Sequence, residues 1–372
     1  MNRRQGDRFF IFRVSVVVTA LLASGSLIAQ EVCGLASVQY NRMHGDGFES
    51  SSGAQALAES SVKPVDKKLE VDLTPSARKH LQLGNALGYA PRIIAGIAPT
   101  ITIAFPASGA SFSGQNFEVR GTFTGPVNTG ISVNGSPALT FGNQWVSLPI
   151  HAPVGSFEIS ATATTFDAMS ANATRMITVG NAPPEIELVP KQAGNIAPAT
   201  IGFTFRVASG LVIETVQVDF NGDGNNDYVG PLSGMPTTYH YTAPGLYTAK
   251  IIAVTPGGQS IHERSVLIAD VVTLRERACS VYGALRASLA ANDLEATLNT
   301  FIEFKREAQR PFFTALGSNR SVFATRLGTI ANGVVGMDSA QLITLRIEGG
   351  QPIGYPVSFA AEATGVWRIA SF

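Results

Sequence analysis

TAKIIAVTPGGQSIHERSVLIADVVTLRERACSVYGALRASLAANDLEA, running from Thr248 to Ala296, changes its hydrophobic period part-way along. Its first part alternates apolar and polar residues, as a half-buried strand does. From Val271 the period becomes 3.6: Leu274, Ala278, Tyr282, Leu285 and Leu289 fall on one helical face. The switch separates a β-rich region from a region that begins with helices. Downstream, Asn292 or Asp293 caps a second helix carrying Leu294, Leu298, Phe301 and Phe304. Pro311 is read as the start of another short helical segment, and SVFATRLGTIANGVVG (321–336) as a further helix or turn. SAQLITLRIEGG, IGYPVSFAAEA and GVWRIASF then read as three strands, so 271–372 is expected to be α+β.

Upstream of the switch the texture is β. Ile101/Ile103/Phe105, Phe117/Val119, Ile131/Val133, Phe157/Ile159/Ala161 and Met176/Ile177/Val179 mark half-buried strands, and the VNG at 133–135 is a hairpin signal. Strands recur about every 10–12 residues, the spacing of a β-sandwich. NAPPEIELVP restarts the pattern at 181, after two prolines that mark a joint. The 37 Gly and 20 Pro of the 372 residues agree with a turn-rich, largely β chain.

FPASGASFSGQNFEVRGTFTGP, GISVNGSPALTFGNQWVSLPI and GSFEISATATTFDAMSANATRMITV together resemble a bacterial Ig-like domain, over 98–180. VDFNGDGNND followed by YHYTAPGLYTAKIIAV resembles a PKD-type (polycystic-kidney-disease-like) Ig-fold module over 181–270, with Phe220 in its acidic motif and no tryptophan there. The helices, the A-x-N-D-L-E-A stretch and the terminal GVWRIASF resemble the NTF2-like (nuclear-transport-factor-2-like, SnoaL/ketosteroid-isomerase-like) cone over 271–372. The resemblances imply two all-β Ig-like sandwiches followed by an α+β NTF2-like cone domain.

The first 29 residues have the anatomy of a secretory signal peptide. Arg3, Arg4, Arg8 and Arg13 precede the apolar VSVVVTALLA, and small residues lead to a cut after Ala29. Residues 30–97 read as a largely disordered linker, with one short helix signalled by Thr74 and Pro75. The expected localisation is therefore periplasmic or extracellular, with no anchor left after cleavage. An oxidising compartment makes a Cys33–Cys279 disulfide one reading of the two cysteines; two unpaired thiols are the other.

The chemistry-bearing stretch is VDFNGDGNNDYVG, 218–230. Asp219, Asn221, Asp223, Gly224, Asn225 and Asp227 fall at positions 1, 3, 5, 6, 7 and 9 of a calcium-loop frame, but position 12 is Gly230 rather than Glu. Two readings stand: a tight turn closed by Asn, Asp and Gly, or an incomplete oxygen cage for calcium. No other cofactor is implied. Isomerases of the NTF2-like class place a tyrosine on the first helix and an aspartate on the second. Here Leu285 aligns with that tyrosine, Tyr282 lies one turn early, and no aspartate occurs between Asp293 and Asp338. No histidine lies beyond His262, so a non-enzymatic protein is expected. Tyr282, Phe301, Phe304, Phe312 and Trp367 are the candidate pocket residues, with filling of the core as the alternative. Equal numbers of basic and acidic residues, 27 each, leave no footprint for nucleic acid. The partners expected are an envelope or secreted protein or a glycan, with homodimerisation through the last domain a further option. A glycan surface would need an exposed aromatic row drawn from Trp145, Tyr228, Tyr239, Tyr241 and Tyr247.

Overall fold

The computed structural model describes Cys33, residues 97–192 and residues 194–372. The expected signal peptide, the short helix expected at Thr74–Pro75 and nearly all of the expected linker lie outside the described residues. Among the described residues no helix is long and apolar enough to cross a membrane.

The first body has ten strands: β1 (Thr100–Phe105), β2 (Ser111–Phe112), β3 (Asn116–Phe117), β4 (Arg120–Thr124), β5 (Gly130–Val133), β6 (Ser136–Phe141), β7 (Gln144–Ser147), β8 (Ile150–His151), β9 (Gly155–Thr164) and β10 (Ser170–Val179). Eight form one ladder in the order β1-β4-β7-β6-β5-β9-β10-β2, while β3 pairs with β8. The ladder folds back so that β1 also lies against β9 and β10. The alternating residues of the two layers, among them Ile101, Ile103, Ile131, Trp145, Ile159 and Ile177, then share one core. Asn134 and Gly135 link β5 to β6 with φ of 48° and 81°, so both central residues of this two-residue hairpin are left-handed. The Asn134 amide adds bonds to Glu158 O and from Ser160 N, which fix the turn against β9.

The second body is a sandwich of three strands on five. β11 (Ile186–Pro190), β13 (Ala199–Val207) and β16 (Thr238–Tyr241) form one sheet. β12 (Gly194–Ile196), β18 (Gly258–Ala269), β17 (Gly245–Thr255), β14 (Thr215–Asp219) and β15 (Tyr228–Gly230) form the other. Tyr247, early on β17, donates its hydroxyl back to Ala243 O at 2.9 Å, the corner contact that fixes how a sandwich strand is entered. Tyr241 is buried and donates to Phe220 O at 2.7 Å.

The third body begins where the hydrophobic period switches. Asp270 caps α1 (Val271–Ala290) by accepting from Val272 N, and Asp293 caps α2 (Leu294–Asn299) by accepting from Ala296 N. Of the two cap residues left open by the sequence, Asp293 is the one used; Asn292 before it is left-handed, with φ 58°. Next come α3 (Glu303–Leu316) and α4 (Arg320–Arg326). An antiparallel sheet follows in the order β19 (Thr329–Val335), β20 (Ser339–Glu348), β21 (Gln351–Ala361) and β22 (Trp367–Ser371).

Two expectations are corrected here. Pro311 lies inside α3 instead of starting a new segment. The 321–336 stretch supplies α4 and a fourth strand instead of a helix or turn alone. Its alternation is interrupted by a bulge between Ile330 and Asn332. Gly333 then runs so close to β20 that a Cβ there would lie 2.4 Å from Gln341 O.

The bodies meet through apolar packing, with Phe166 of the first body and Ile196 and Ala269 of the second against the core of the third, and through individual polar side chains. Asn128 donates from Nδ2 to Trp367 O at 2.9 Å and accepts from Trp367 N at 2.9 Å, joining the first body to β22. Gly130 and Gly365 touch beside it; a Cβ on Gly130 would lie 2.3 Å from the Gly365 carbonyl carbon. Arg368 donates to Phe166 O and stacks over its ring, with 4.8 Å from guanidinium to centroid. Arg277 on α1 donates to Thr140 Oγ1 at 2.6 Å. Between the two sandwiches, the Glu118 carboxylate accepts from Ser265 N at 2.9 Å, and Arg120 donates to Thr248 Oγ1 at 3.2 Å.

Candidate functional site

The third body is where a pocket was expected. α1 lies across the sheet and puts Tyr282, Leu285 and Leu289 into a core with Phe301, Phe313, Phe359 and Trp367. Tyr282, Phe301 and Trp367 are all buried there and pack within one core. The Tyr282 hydroxyl donates towards Leu327 O and Gly328 O, each 2.9 Å away, and so ties α1 to the turn between α4 and β19. Burial pushes its pKa up to about 12. It is a neutral structural donor near neutral pH.

Phe304 and Phe312 go elsewhere, which corrects the expected pocket set. α3 turns Phe313 inwards. At 100° per residue, Phe304 then lies on the opposite side and Phe312 about 100° round from Phe313, and they are 76% and 47% exposed. Glu295 and Glu307 of this body are on the outside, whereas Glu362 is half-buried and paired with buried Arg368 at 2.8 Å. Glu295 and Glu307 both receive Arg310, at 2.5 and 3.1 Å, and the hydrogen bond from Arg310 holds Glu295 below its ordinary pKa. Glu303 is exposed at the start of α3.

One cleft does open on this body. Cys33, Cys279, Tyr282, Gly283, Arg286, Thr329 and Ile330 line about 30 Å³ between α1 and the start of β19. That is room for one or two water molecules. Its wall includes the Cys33–Cys279 disulfide, with Cα atoms 5.5 Å apart and a sequence separation of 246. Cys33 packs against the core of the third body, so the start of the linker is fastened to α1.

The acidic stretch of the second body forms the loop between β14 and β15. The buried Asp219 accepts from the N–H groups of Asn221, Gly222 and Gly224, at 3.2, 2.6 and 2.9 Å. Asp227 accepts from Phe220 N at 2.7 Å, and Asp223 from Asn225 N at 2.7 Å. That last bond lowers the Asp223 pKa. Asn221 uses its carbonyl on Asp223 N and its amide on Asp223 and Tyr239. Gly222 and Gly224 are left-handed, at φ 73° and 86°. Asp219, Asn221, Asp223 and Asp227 are thus taken up in closing the turn, and Asn225 supplies a backbone donor to it. Among the described residues, no group of three or more His, Cys, Asp or Glu side chains is placed to hold a metal ion.

The expected aromatic row also turns inwards. Trp145 and Tyr241 are buried, and Tyr228, Tyr239 and Tyr247 are only partly open. Phe203, Phe220, Tyr239, Tyr241 and Tyr247 form a chain of rings with successive centroids 4.8, 5.2, 4.9 and 4.7 Å apart. Trp145 donates from its indole to Thr122 O.

Sequence reasoning missed the residues that join the bodies. Glu118 is buried at the contact between the sandwiches, and burial raises its pKa despite the Ser265 N–H and the nearby Arg264 and Arg120. Asn128 looks like an ordinary turn residue in TGPVNTG. The one available signal was a carboxylate, Glu118, directly before a residue of the apolar alternation, Val119.

No protein-family model matches the chain, and no curated protein sequence matches it. Solved structures align with it at low similarity. The fibronectin(III)-like modules of Clostridium thermocellum CbhA are 18% identical, over 46% of this chain and 94% of that one, with a TM-score of 0.18. The PKD domain of the human VPS10 domain-containing receptor SorCS2 is 23% identical over 24% of this chain and 76% of that one, with a TM-score of 0.21. The titin domains z1z2, in a structure with telethonin, are 15% identical over 47% of this chain and 98% of that one, with a TM-score of 0.18. Likenesses of this size carry no argument about function.

Proposed function

We propose that this chain is an exported, non-enzymatic binding or adaptor protein of the bacterial envelope. Its Ig-like sandwiches serve as a spacer, and its C-terminal body engages a protein partner through its outer surface. One observation carries the reading: the interior of the third body is filled by Tyr282, Phe301, Phe313, Phe359 and Trp367, which leaves contact to the outside. The exposed, Arg-paired Glu295 and Glu307 support the non-enzymatic side of the proposal, since a general base must reach a sequestered substrate.

The finer family readings stay part of the proposal. The Tyr247 corner and the Asp219 turn support a PKD-type second sandwich. One long helix, three shorter ones and a four-stranded antiparallel sheet support an NTF2-like third body. The Cys33–Cys279 disulfide supports export, because such bonds persist in oxidising compartments. Burial of Trp145 and Tyr241 leaves Tyr228, Tyr239 and Tyr247, each partly open, as the aromatic residues on which the alternative carbohydrate-binding reading would rest.

The test is capture with the mature chain in envelope extracts, with and without chelator, beside a thermal-shift panel of glycans and small molecules. The proposal expects a saturable protein partner, capture indifferent to chelator, and no stabilising glycan or small molecule. A glycan or small molecule that raises the melting temperature dose-dependently, with no protein partner captured, overturns it.

A further inference from the structure

An asparagine followed by glycine is exposed to loss of its side-chain amide, because no Cβ on the glycine hinders attack by the glycine's backbone nitrogen. The chain has three such pairs: Asn134-Gly135, Asn221-Gly222 and Asn332-Gly333. By sequence the three are equivalent. The structure separates them by where each amide and each following N–H is engaged.

Asn134 is held away from its glycine. Its Nδ2 donates to Glu158 O at 3.1 Å and its Oδ1 accepts from Ser160 N at 2.8 Å, so both ends of the amide are fastened to β9. Asn221 is restrained twice. Its Oδ1 accepts from Asp223 N at 2.9 Å, and its Nδ2 donates to Asp223 and to the Tyr239 hydroxyl, each at 3.2 Å. The nitrogen that would attack it, Gly222 N, donates to Asp219 Oδ1 at 2.6 Å.

Asn332 has neither restraint. It is exposed on β19, an edge strand of its sheet, at the bulge that interrupts the ladder. Its Oδ1 accepts from Gly333 N, the next residue's own nitrogen, at 2.8 Å. Cγ is one bond from Oδ1, so the amide carbon lies beside the nitrogen that would attack it. Gly333 itself is demanded by packing, since a Cβ there would lie 2.4 Å from Gln341 O. The close approach of β19 to β20 therefore keeps the susceptible pair in place.

We propose that Asn332 is a site of spontaneous deamidation in the folded protein. Gly333 N gives its proton to hydroxide and forms a bond to Asn332 Cγ. The Cγ–Nδ2 bond breaks, and the nitrogen leaves as ammonia with a proton from water. Water then opens the five-membered succinimide. Attack at Cγ breaks the new N–Cγ bond and leaves an aspartyl residue. Attack at the backbone carbonyl carbon breaks its bond to nitrogen and leaves an isoaspartyl residue, with the chain running through Cγ. The net reaction consumes one water and releases one ammonia. Either product places a carboxylate at the free edge of the sheet, beside exposed Val334. The isoaspartyl form also adds a methylene to a main chain that already carries a bulge there.

The test is peptide mapping of the purified mature chain, incubated for weeks at neutral pH in heavy-oxygen water, which labels each succinimide that opens. Trypsin places the three asparagines in separate peptides. A parallel sample is incubated in guanidinium chloride with the disulfide intact. In denaturant the three sites should react at similar rates. In the folded chain Asn332 should react at least about tenfold faster than Asn134 and Asn221, whose restraints must first open. Asn332→Gln, which would have to close a six-membered ring, should lose the label from that peptide and keep the wild-type melting temperature. A folded-state rate at Asn332 no higher than at the other two overturns the inference. So does a ratio between the sites that is the same in denaturant, or label that persists in Asn332→Gln.

Discussion

Asn128→Ala should uncouple the first body from the third. The wild-type amide satisfies both backbone groups of Trp367, the N–H and the carbonyl, at 2.9 Å each. Asn128 is itself only 4% exposed, so water does not reach the site to replace it. Truncation leaves a buried donor and a buried acceptor without partners. Each such group costs about 1–3 kcal/mol, and removing the buried amide returns part of that, so a net loss of about 2–4 kcal/mol is expected. If that energy holds the bodies together, the equilibrium for local opening of the joint rises by about 30- to 700-fold. Hydrogen exchange of peptides covering 126–131 and 364–369 reads this directly, and calorimetry shows whether one cooperative transition splits into two. Asn134→Ala is the matched control: it also removes an amide with two backbone bonds, but within the first body and at its exposed hairpin. It should lower the stability of that body and leave 364–369 protected. If Asn128→Ala changes stability by less than about 0.5 kcal/mol and leaves exchange at 364–369 unaltered, the joint is not held by this residue.

Removing the disulfide by Cys33→Ala with Cys279→Ala should destabilise the chain by about 2–5 kcal/mol in denaturant titrations, because the bond closes a very long loop; an unchanged midpoint in oxidised and reduced wild type would contradict this. Asp219→Ala should cost about 3 kcal/mol, since three N–H groups lose their acceptor. Saturating calcium should leave the wild-type melting temperature within about 1 °C, and a larger rise would revive the oxygen-cage reading of the loop. His262 should make the second body acid-sensitive. Burial, the largest influence, followed by the Arg264 charge, lowers its pKa to about 4, and its Nδ1 accepts from Leu188 N at 3.1 Å. A histidine with a folded pKa below its unfolded value of about 6.5 stays neutral in the fold while the unfolded chain takes up a proton. Stability is therefore full above about pH 6.5 and falls as the pH drops towards 4, by about 1–2 kcal/mol after allowing for partial exposure. His262→Gln should flatten that slope between pH 6.5 and 4; an unchanged slope would assign it to other groups.

The parts of the fold legible in the sequence are those fixed by local physics. The period switch at Val271 is where β18 ends and α1 begins, because strand and helix bury their faces at different spacings. Asn134-Gly135 marked a hairpin because both residues tolerate left-handed φ. β19 was illegible because its bulge and Gly333 break the alternation that identifies a strand. The place of α3 was illegible for another reason. Its stripe of Phe304, Ala308, Pro311 and Phe312 is the stronger apolar face, and pattern alone assigns the stronger face to the core. The structure gives the core to Phe313 and leaves the stripe outside.

That inversion bears on how the chain can work. A stripe outside the core contributes little to the stability of its own body, so Phe304 and Phe312 answer to what the surface meets. The joints give that surface a fixed frame. Asn128, Arg368 and Arg277 each bond across from the third body to the first, or the reverse, and Glu118 bonds from the first body to the second. The first body bonds to both of the others, and the second also meets the third directly through Ile196 and Ala269. Each cross-body bond is made by a polar side chain to a backbone group or a hydroxyl, contacts with strict directions and little tolerance for sliding. Joined in this way, the stripe on α3 and the disulfide on α1 keep set directions relative to both sandwiches, as the proposed spacer role would require.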